Sequence, residues 1–140
     1  MREAFSGSVP LPDGLLALLV RPSLCLVATI MPDGSSQPTQ TWVTTDGEHI
    51  LIHTPDHSQE ARNVARDPHV AVNLVDPENT RRYCAVCGRV IATTTEGGAR
   101  SIDEISGKYL GRPYPRFSGR PETRMIATIE ADSVRGMGGR

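Results

Sequence analysis

Two histidines four residues apart, a Cys-x-x-Cys pair and a solitary lysine are the groups in this 140-residue chain whose types invite a chemical reading. His53 and His57 have the spacing of a metal pair on one helix turn, but Pro55 lies between them and no helix can join them. Neither a carboxylate nor a cysteine stands at ligand spacing on a shared element, so no metal site is assigned. Cys84-Ala85-Val86-Cys87 lies in a β-rich run, where residues three apart face opposite sides of a sheet. No second cysteine pair follows to complete a zinc site, and the three cysteines, an odd number, fit no disulfide framework. They read as ordinary buried or half-buried thiols. Lys108, the only lysine among 15 basic residues, is the one Schiff-base candidate and has no other catalytic signal around it. No serine sits in a Gly-x-Ser-x-Gly elbow. A chain without a nucleophile–base arrangement suits cofactor chemistry, in which a bound ring reacts and the protein supplies geometry and electrostatics.

The stretch from His53 to Pro68 is where such chemistry would be positioned. It follows the strand-like run Ile50-Leu51-Ile52 and opens a short helix over residues 58–66. Asp56 can cap that helix, with Gln59 three residues on to reach back; Ser58 is the alternative cap. Ala61, Val64 and Ala65 form a narrow apolar face, while Gln59, Arg62, Asn63 and Arg66 are read as pointing outward. Asp67-Pro68 ends the helix, because proline disfavours helical geometry in the residue before it. A strand feeding a short helix whose first amides point outward is a ready anion site. A solvated surface helix joining two strands is the competing reading.

The rest of the chain supplies the frame. Asp13 can cap a helix running through Val20, and Leu24–Ile30 is a short apolar strand closed by the turn Pro32-Asp33-Gly34. Gln37–Thr45, rich in Thr, Val and Trp, is a second strand, joined through Asp46-Gly47 to a third over Glu48–Thr54. His69–Val75 alternates Val70, Val72 and Leu74 inward; Arg82–Thr94 is a long strand with a bulge or bend at Gly88. Ala99–Leu110 has helical spacing, residues 111–121 form a proline-rich loop, and Thr123–Ser133 is the last strand. Residues 1–12 read as a mobile arm and 136–140 as a mobile tail, leaving one domain over 1–140. Six strands at short spacing with few helices predict a mainly β chain, a small antiparallel barrel with helices at its rims.

Composition narrows the partners. A net charge of -1 leaves no electrostatic footprint for nucleic acid. No run approaches the ~20 apolar residues of a membrane span, and the first residues lack a basic region with a cleavage site. A cytoplasmic protein is expected. Aromatic residues are only 4%, thin for a standalone barrel core, so part of the apolar strand surface is expected to be covered by a second subunit.

The order of these pieces resembles the split β-barrel family of pyridoxamine 5′-phosphate oxidase-like proteins, most closely the actinobacterial branch that uses the deazaflavin coenzyme F420. Ala28-Thr29-Ile30 with Pro32-Asp33-Gly34 carries the resemblance, as do Gln37-Pro38-Thr39 with Trp42-Val43 and Asp46-Gly47-Glu48-His49-Ile50. Arg62-Asn63 with Arg66-Asp67-Pro68-His69-Val70, Arg82-Tyr83 with Gly88-Arg89-Val90, Lys108-Tyr109-Leu110-Gly111 and Glu122-Thr123-Arg124 continue it, over roughly residues 13–135. The resemblance implies a six-stranded antiparallel split barrel of the FMN-binding type. It implies a homodimer with two cofactor sites across the interface and hydride transfer to a small unsaturated organic substrate. Carried over by position, it places Thr29, Gln40, Thr41 and Trp42 near the cofactor ring and Ser58, Gln59, Arg62 and Asn63 near its phosphate. Arg81 and Arg82 would reach in from the second subunit, against their plain reading as a solvated strand start. Trp42 stays open between ring stacking and core packing.

The chain departs from the family pattern in the loop entering the helix. Asp56, Ser58 and Glu60 stand where arginine, arginine and lysine are usual, so a phosphate there would meet like charge instead of charge-assisted bonds. Arg62, Arg66, Arg81, Arg82 or protonated His53 and His57 would have to supply the charge. Coenzyme F420 is the expected cofactor. FMN in an oxidase or reductase of the same fold is the first alternative, and a non-catalytic binding barrel with no cofactor the second. Glu60 and Asp56 support the last.

Overall fold

The computed structural model describes residues 8–115 and 123–136, which form one seven-stranded antiparallel sheet with three helices against it. In chain order the elements are α1 (Asp13–Val20), β1 (Leu24–Ile30), β2 (Ser36–Thr41), β3 (Val43–Thr45) and β4 (Ile50–Pro55). They continue as α2 (Gln59–Arg66), β5 (His69–Val75), β6 (Tyr83–Thr94), α3 (Gly98–Leu110) and β7 (Arg124–Arg135).

The expected second strand is two strands. The sheet runs β2-β1-β5-β6-β7-β4-β3, so the two edge strands are neighbours in sequence. Thr41 pairs with Cys25 of β1, whereas Val43 pairs with Ile52 of β4. The chain changes sides of the barrel at Trp42, which belongs to neither ladder. Thr41 Oγ1 donates to the His53 carbonyl at 3.1 Å and staples the seam between β2 and β4. A β-branched, strand-forming run hides this division, because the break is set by closure of the barrel and not by local propensity. Seven strands in a split barrel thus replace the six expected.

Period-two alternation builds the core. Cys25 and Val27 of β1, Val72 and Leu74 of β5, Val86 of β6 and Ala127 and Ile129 of β7 all point inward and are buried. Leu15, Leu18 and Leu19 of α1 are fully buried against them, whereas Val20, on another side of this apolar helix, is 61% exposed. Each such leucine contributes about 1.5–3 kcal/mol of burial. Aliphatic side chains fill the space that the sparse aromatics leave. Gly88 sits at a register shift between β6 and β7, where a Cβ would run into the Glu130 carbonyl oxygen; the bend expected there is present.

Lys108 is structural. Its Nζ donates to Leu19 O at 2.8 Å and Val43 O at 2.5 Å, satisfying a carbonyl in the last turn of α1, which has no basic residue of its own. Tyr109 Oη donates to Ser23 O at 2.7 Å, so the end of α3 is tied to α1, β3 and the start of β1. Cys84 is buried and Cys87 exposed, on opposite faces of β6 as their spacing requires. Of the arm read as mobile, residues 8–12 lie against the fold: Val9 N–H donates to Ala131 O at 2.8 Å and Leu11 joins the core. Residues 1–7, the part of the proline-rich loop from 116 on and the tail from 137 lie outside the described residues.

Candidate functional site

The barrel seam opens into a cleft of about 450 Å³. The end of β2 supplies Thr39, Gln40 and Thr41, and the crossover supplies Trp42. The end of β4 supplies His53, Thr54 and Pro55; α2 adds Glu60, α3 adds Ile102, and Tyr114 and Arg124 close the rim. Strand β4 breaks its alternation here, with Ile52, His53 and Thr54 all buried. His53 Nε2 meets Ser101 Oγ of α3 at 2.7 Å. Trp42 stacks on Tyr109 with centroids 5.1 Å apart and 7° between planes, and meets the edge of Tyr114 at 6.0 Å. The Arg124 guanidinium lies 5.2 Å from the Tyr114 ring centroid.

Three groups set the electrostatics. His53 is 2% exposed, and its burial, with the positive charge of Arg124 adding to it, lowers its pKa to about 4. It is a neutral imidazole at neutral pH. Glu60 is 4% exposed, and burial raises its pKa; the Thr54 hydroxyl and Arg124 pull the other way. Neither Glu60 oxygen makes a hydrogen bond among the described residues, and the one close bond of Thr54 Oγ1, 2.8 Å, goes to Ser58 Oγ. Glu60 stands in the first turn of α2, whose dipole favours an anion by about 0.3–1 kcal/mol. Burying an unpaired carboxylate costs several kcal/mol, so burial wins. Cys25 behind this wall has its thiol pKa pushed up to about 12, by burial first and then by Glu60.

The residues singled out from sequence separate into four groups. Gln40, Thr41 and Trp42 line the cleft. Thr29 and Asn63 face each other instead: Asn63 Nδ2 donates to Thr29 Oγ1 at 3.0 Å, and both residues are fully buried. Asn63 therefore does not point outward, because its amide finds partners inside; its Oδ1 accepts from Gln59 Nε2 at 2.8 Å and Arg66 at 3.2 Å. Ser58, not Asp56, is the helix cap, accepting from Ala61 N–H at 3.0 Å. Arg62 donates to His57 O and Gln59 Oε1, both at 2.7 Å, and so closes over the first turn of its own helix. Arg82 pairs with buried Asp76 at 3.7 Å, and the Arg81 N–H donates to Asn79. Neither arginine lines the cleft.

His53, Glu60, Ile102, Tyr114 and Arg124 line the cleft without having been assigned to it. Glu60 carried a signal, since an acid stood where a base is usual. Arg124 had none beyond its place in a matching triplet, because only barrel pairing brings β7 beside β4.

A family model described as pyridoxamine 5′-phosphate oxidase matches residues 11–137. A pyridoxine/pyridoxamine 5′-phosphate oxidase of Kineococcus radiotolerans is 33% identical over 102 residues, 73% of this chain. The chain spans 42% of that curated relative's length. Among solved structures, an F420 reductase superposes with a TM-score of 0.75 at 28% identity, covering 89% of this chain and 98% of that one. A conserved hypothetical protein of Mycobacterium tuberculosis superposes at 0.61 and 25% identity, over 87% of this chain and 79% of the other.

Proposed function

The chain belongs to the pyridoxamine 5′-phosphate oxidase family, and from that premise we propose that it is an F420-dependent oxidoreductase reducing a small unsaturated organic substrate. The observation that carries the reading is the cleft at the barrel seam, a concave site with aromatic and polar walls on rigid strands. The superposable F420 reductase supports deazaflavin as the ring.

The cleft's residues fit a planar cofactor ring. Gln40 and Thr41 offer hydrogen bonds along one strand edge, and Trp42 with Tyr114 offers apolar surface. Arg124 is the cation on the cleft's lining and would meet a phosphate, with the first amides of α2. Thr29 and Asn63 would act beneath the site, holding α2 against β1. Burial that raises the Glu60 pKa brings the wall closer to neutral, which eases its conflict with an anion. Deazaflavin bound there supplies the hydride. The protein's share is to orient the ring, exclude water and hold a proton.

The shared site requires a homodimer. The outer faces of β1, β5 and β6 support one: Leu24, Leu26 and Tyr83 are exposed around a hollow of about 490 Å³ lined by Leu26, Ala71, Ala85 and Cys87. Arg81 and Arg82 of a second protomer would then complete the phosphate site.

Titration of the purified protein with coenzyme F420, followed by the cofactor's fluorescence, tests the reading. Saturable binding with a stoichiometry of one per protomer is the expected result. A yellow flavin spectrum in the protein as isolated would favour FMN, which the match to a pyridoxine/pyridoxamine 5′-phosphate oxidase keeps in view. Binding of neither would favour a non-catalytic barrel, the reading to which exposed Asp56 and buried Glu60 lend weight.

A further inference from the structure

We infer that the carboxyl group of Glu60, in its protonated form, donates a hydrogen bond to the cofactor's phosphate, so that the cleft takes up its cofactor together with one proton. The inference rests on the oxidoreductase reading above, which puts that phosphate at the first turn of α2. Glu60 stands in that turn, lines the cleft and is 4% exposed. A buried carboxyl ordinarily has hydrogen-bond partners. Neither oxygen of Glu60 has one among the described residues, although the Ser58 hydroxyl nearby caps Ala61 N–H and Arg62 is folded onto the His57 carbonyl. A buried polar group left without a partner on a cleft wall is matched when the cleft is filled.

An anion arriving at this turn meets Glu60 in one of two states. As a carboxylate, Glu60 offers only acceptors to a group that also offers only acceptors, and like charges are brought together out of water. As a carboxylic acid it offers one O–H to a phosphate oxygen, a charge-assisted bond. Burial already pushes the Glu60 pKa up, against the Thr54 hydroxyl of β4 and the Arg124 guanidinium of β7, which favour the carboxylate. On the same wall His53 of β4 is neutral, since burial lowers its pKa to about 4, and behind it the Cys25 thiol of β1 stays protonated. Strand β2 and α3 line the cleft with uncharged side chains. Asp56 and His57, in the loop before the helix, are exposed and face each other at 3.7 Å. A phosphate bound beside Arg124 offsets that cation and adds negative charge of its own, and both effects hold the proton on Glu60.

Below the Glu60 midpoint of the free protein the proton is already in place, and affinity does not depend on pH. Above it the proton must come from solvent, and affinity falls by up to about tenfold per pH unit.

Calorimetric titration with coenzyme F420 between about pH 5 and pH 9, in two buffers of different protonation enthalpy, reads affinity and proton uptake together. Wild type is expected to take up close to one proton per protomer at the alkaline end, with affinity falling about tenfold per pH unit there. Glu60→Gln keeps an N–H donor at every pH, so it should hold the acid-side affinity throughout and lose that uptake. The phosphodiester of F420 keeps one charge over this range, and the ring's own titration is common to both proteins, so the difference between them belongs to Glu60. Wild type with the pH profile and proton count of Glu60→Gln overturns the inference alone, as does a folded Glu60→Gln that no longer binds. Proton release on binding overturns it too, being the mark of a carboxylate that accepts from a hydroxyl of the cofactor's tail. Wild type that binds no F420 at any pH overturns the oxidoreductase reading and the inference with it.

Discussion

Replacing Asn63 by alanine removes the bond that ties α2 to β1 beneath the cleft. Asn63 Nδ2 donates to Thr29 Oγ1 at 3.0 Å and lies 3.4 Å from Met31 Sδ, with both Asn63 and Thr29 fully buried. Truncation strands the Thr29 hydroxyl, at about 1–3 kcal/mol for an orphaned buried polar group, and leaves a small void worth about 1 kcal/mol more. Asn63→Ala should therefore destabilise by about 2–4 kcal/mol. Thr29→Val strands the amide instead and should cost about 1–2 kcal/mol. In the double variant both partners are gone, so the penalties overlap and the total should fall about 1 kcal/mol or more short of the sum. Urea unfolding followed by circular dichroism reads all three, provided the slope is unchanged across the set. Additivity within about 0.3–0.5 kcal/mol would refute the coupling, and with it the assignment of these two residues to support of the site. Thr29→Val should leave F420 affinity near the wild-type value, since its side chain is turned to Asn63.

Gly88→Ala should destabilise by more than 2 kcal/mol in the same assay, because its Cβ meets the Glu130 carbonyl of a paired strand and that backbone cannot step aside. His53 makes stability fall on acidification: its folded pKa of about 4 lies below the ordinary 6.5, so between those values the unfolded chain binds more protons. The loss is roughly 3 kcal/mol from pH 6.5 to 4. His53→Gln should flatten it, and an unchanged pH slope would show that His53 is not held neutral. Leu26→Asp should convert a dimer of twice the 15.2 kDa chain mass into monomer by light scattering, since Leu26 is 49% exposed at the centre of the apolar outer face; a variant that stays dimeric would place the interface elsewhere.

Much of the frame was legible because it is written in local patterns. Val70, Val72 and Leu74 alternate and are buried together, α1 ends at Val20 before Pro22 as expected, although Pro12 is its N-cap and Asp13 is its first residue with no side-chain cap, and Gly88 marks its bend. The division of the second strand at Trp42 was not legible, since Thr41 and Val43 are equally good strand residues and only the ladders they join tell them apart. Helix α2 was misread in three respects: Ser58 and not Asp56 caps it, Ala65 is exposed instead of sharing the apolar face with Ala61 and Val64, and Asn63 is buried. A polar residue such as Asn63 looks outward until Thr29, 34 positions earlier, supplies its partner. The cleft was half visible. Gln40, Thr41 and Trp42 are contiguous in sequence, whereas His53, Glu60 and Arg124 come from three elements that only the closed sheet brings together.

Trp42 gives the most direct test of whether the cleft is where the cofactor sits. It is the only tryptophan in the chain and lies on the cleft wall, so its emission reports occupancy of that site alone. Adding coenzyme F420 should quench Trp42 emission saturably, with the midpoint matching that of the cofactor's own fluorescence change. Trp42→Phe should abolish the first signal while the second remains measurable. Cofactor binding that leaves Trp42 emission untouched would put the site elsewhere on the fold, and no binding at all would contradict the account at its root.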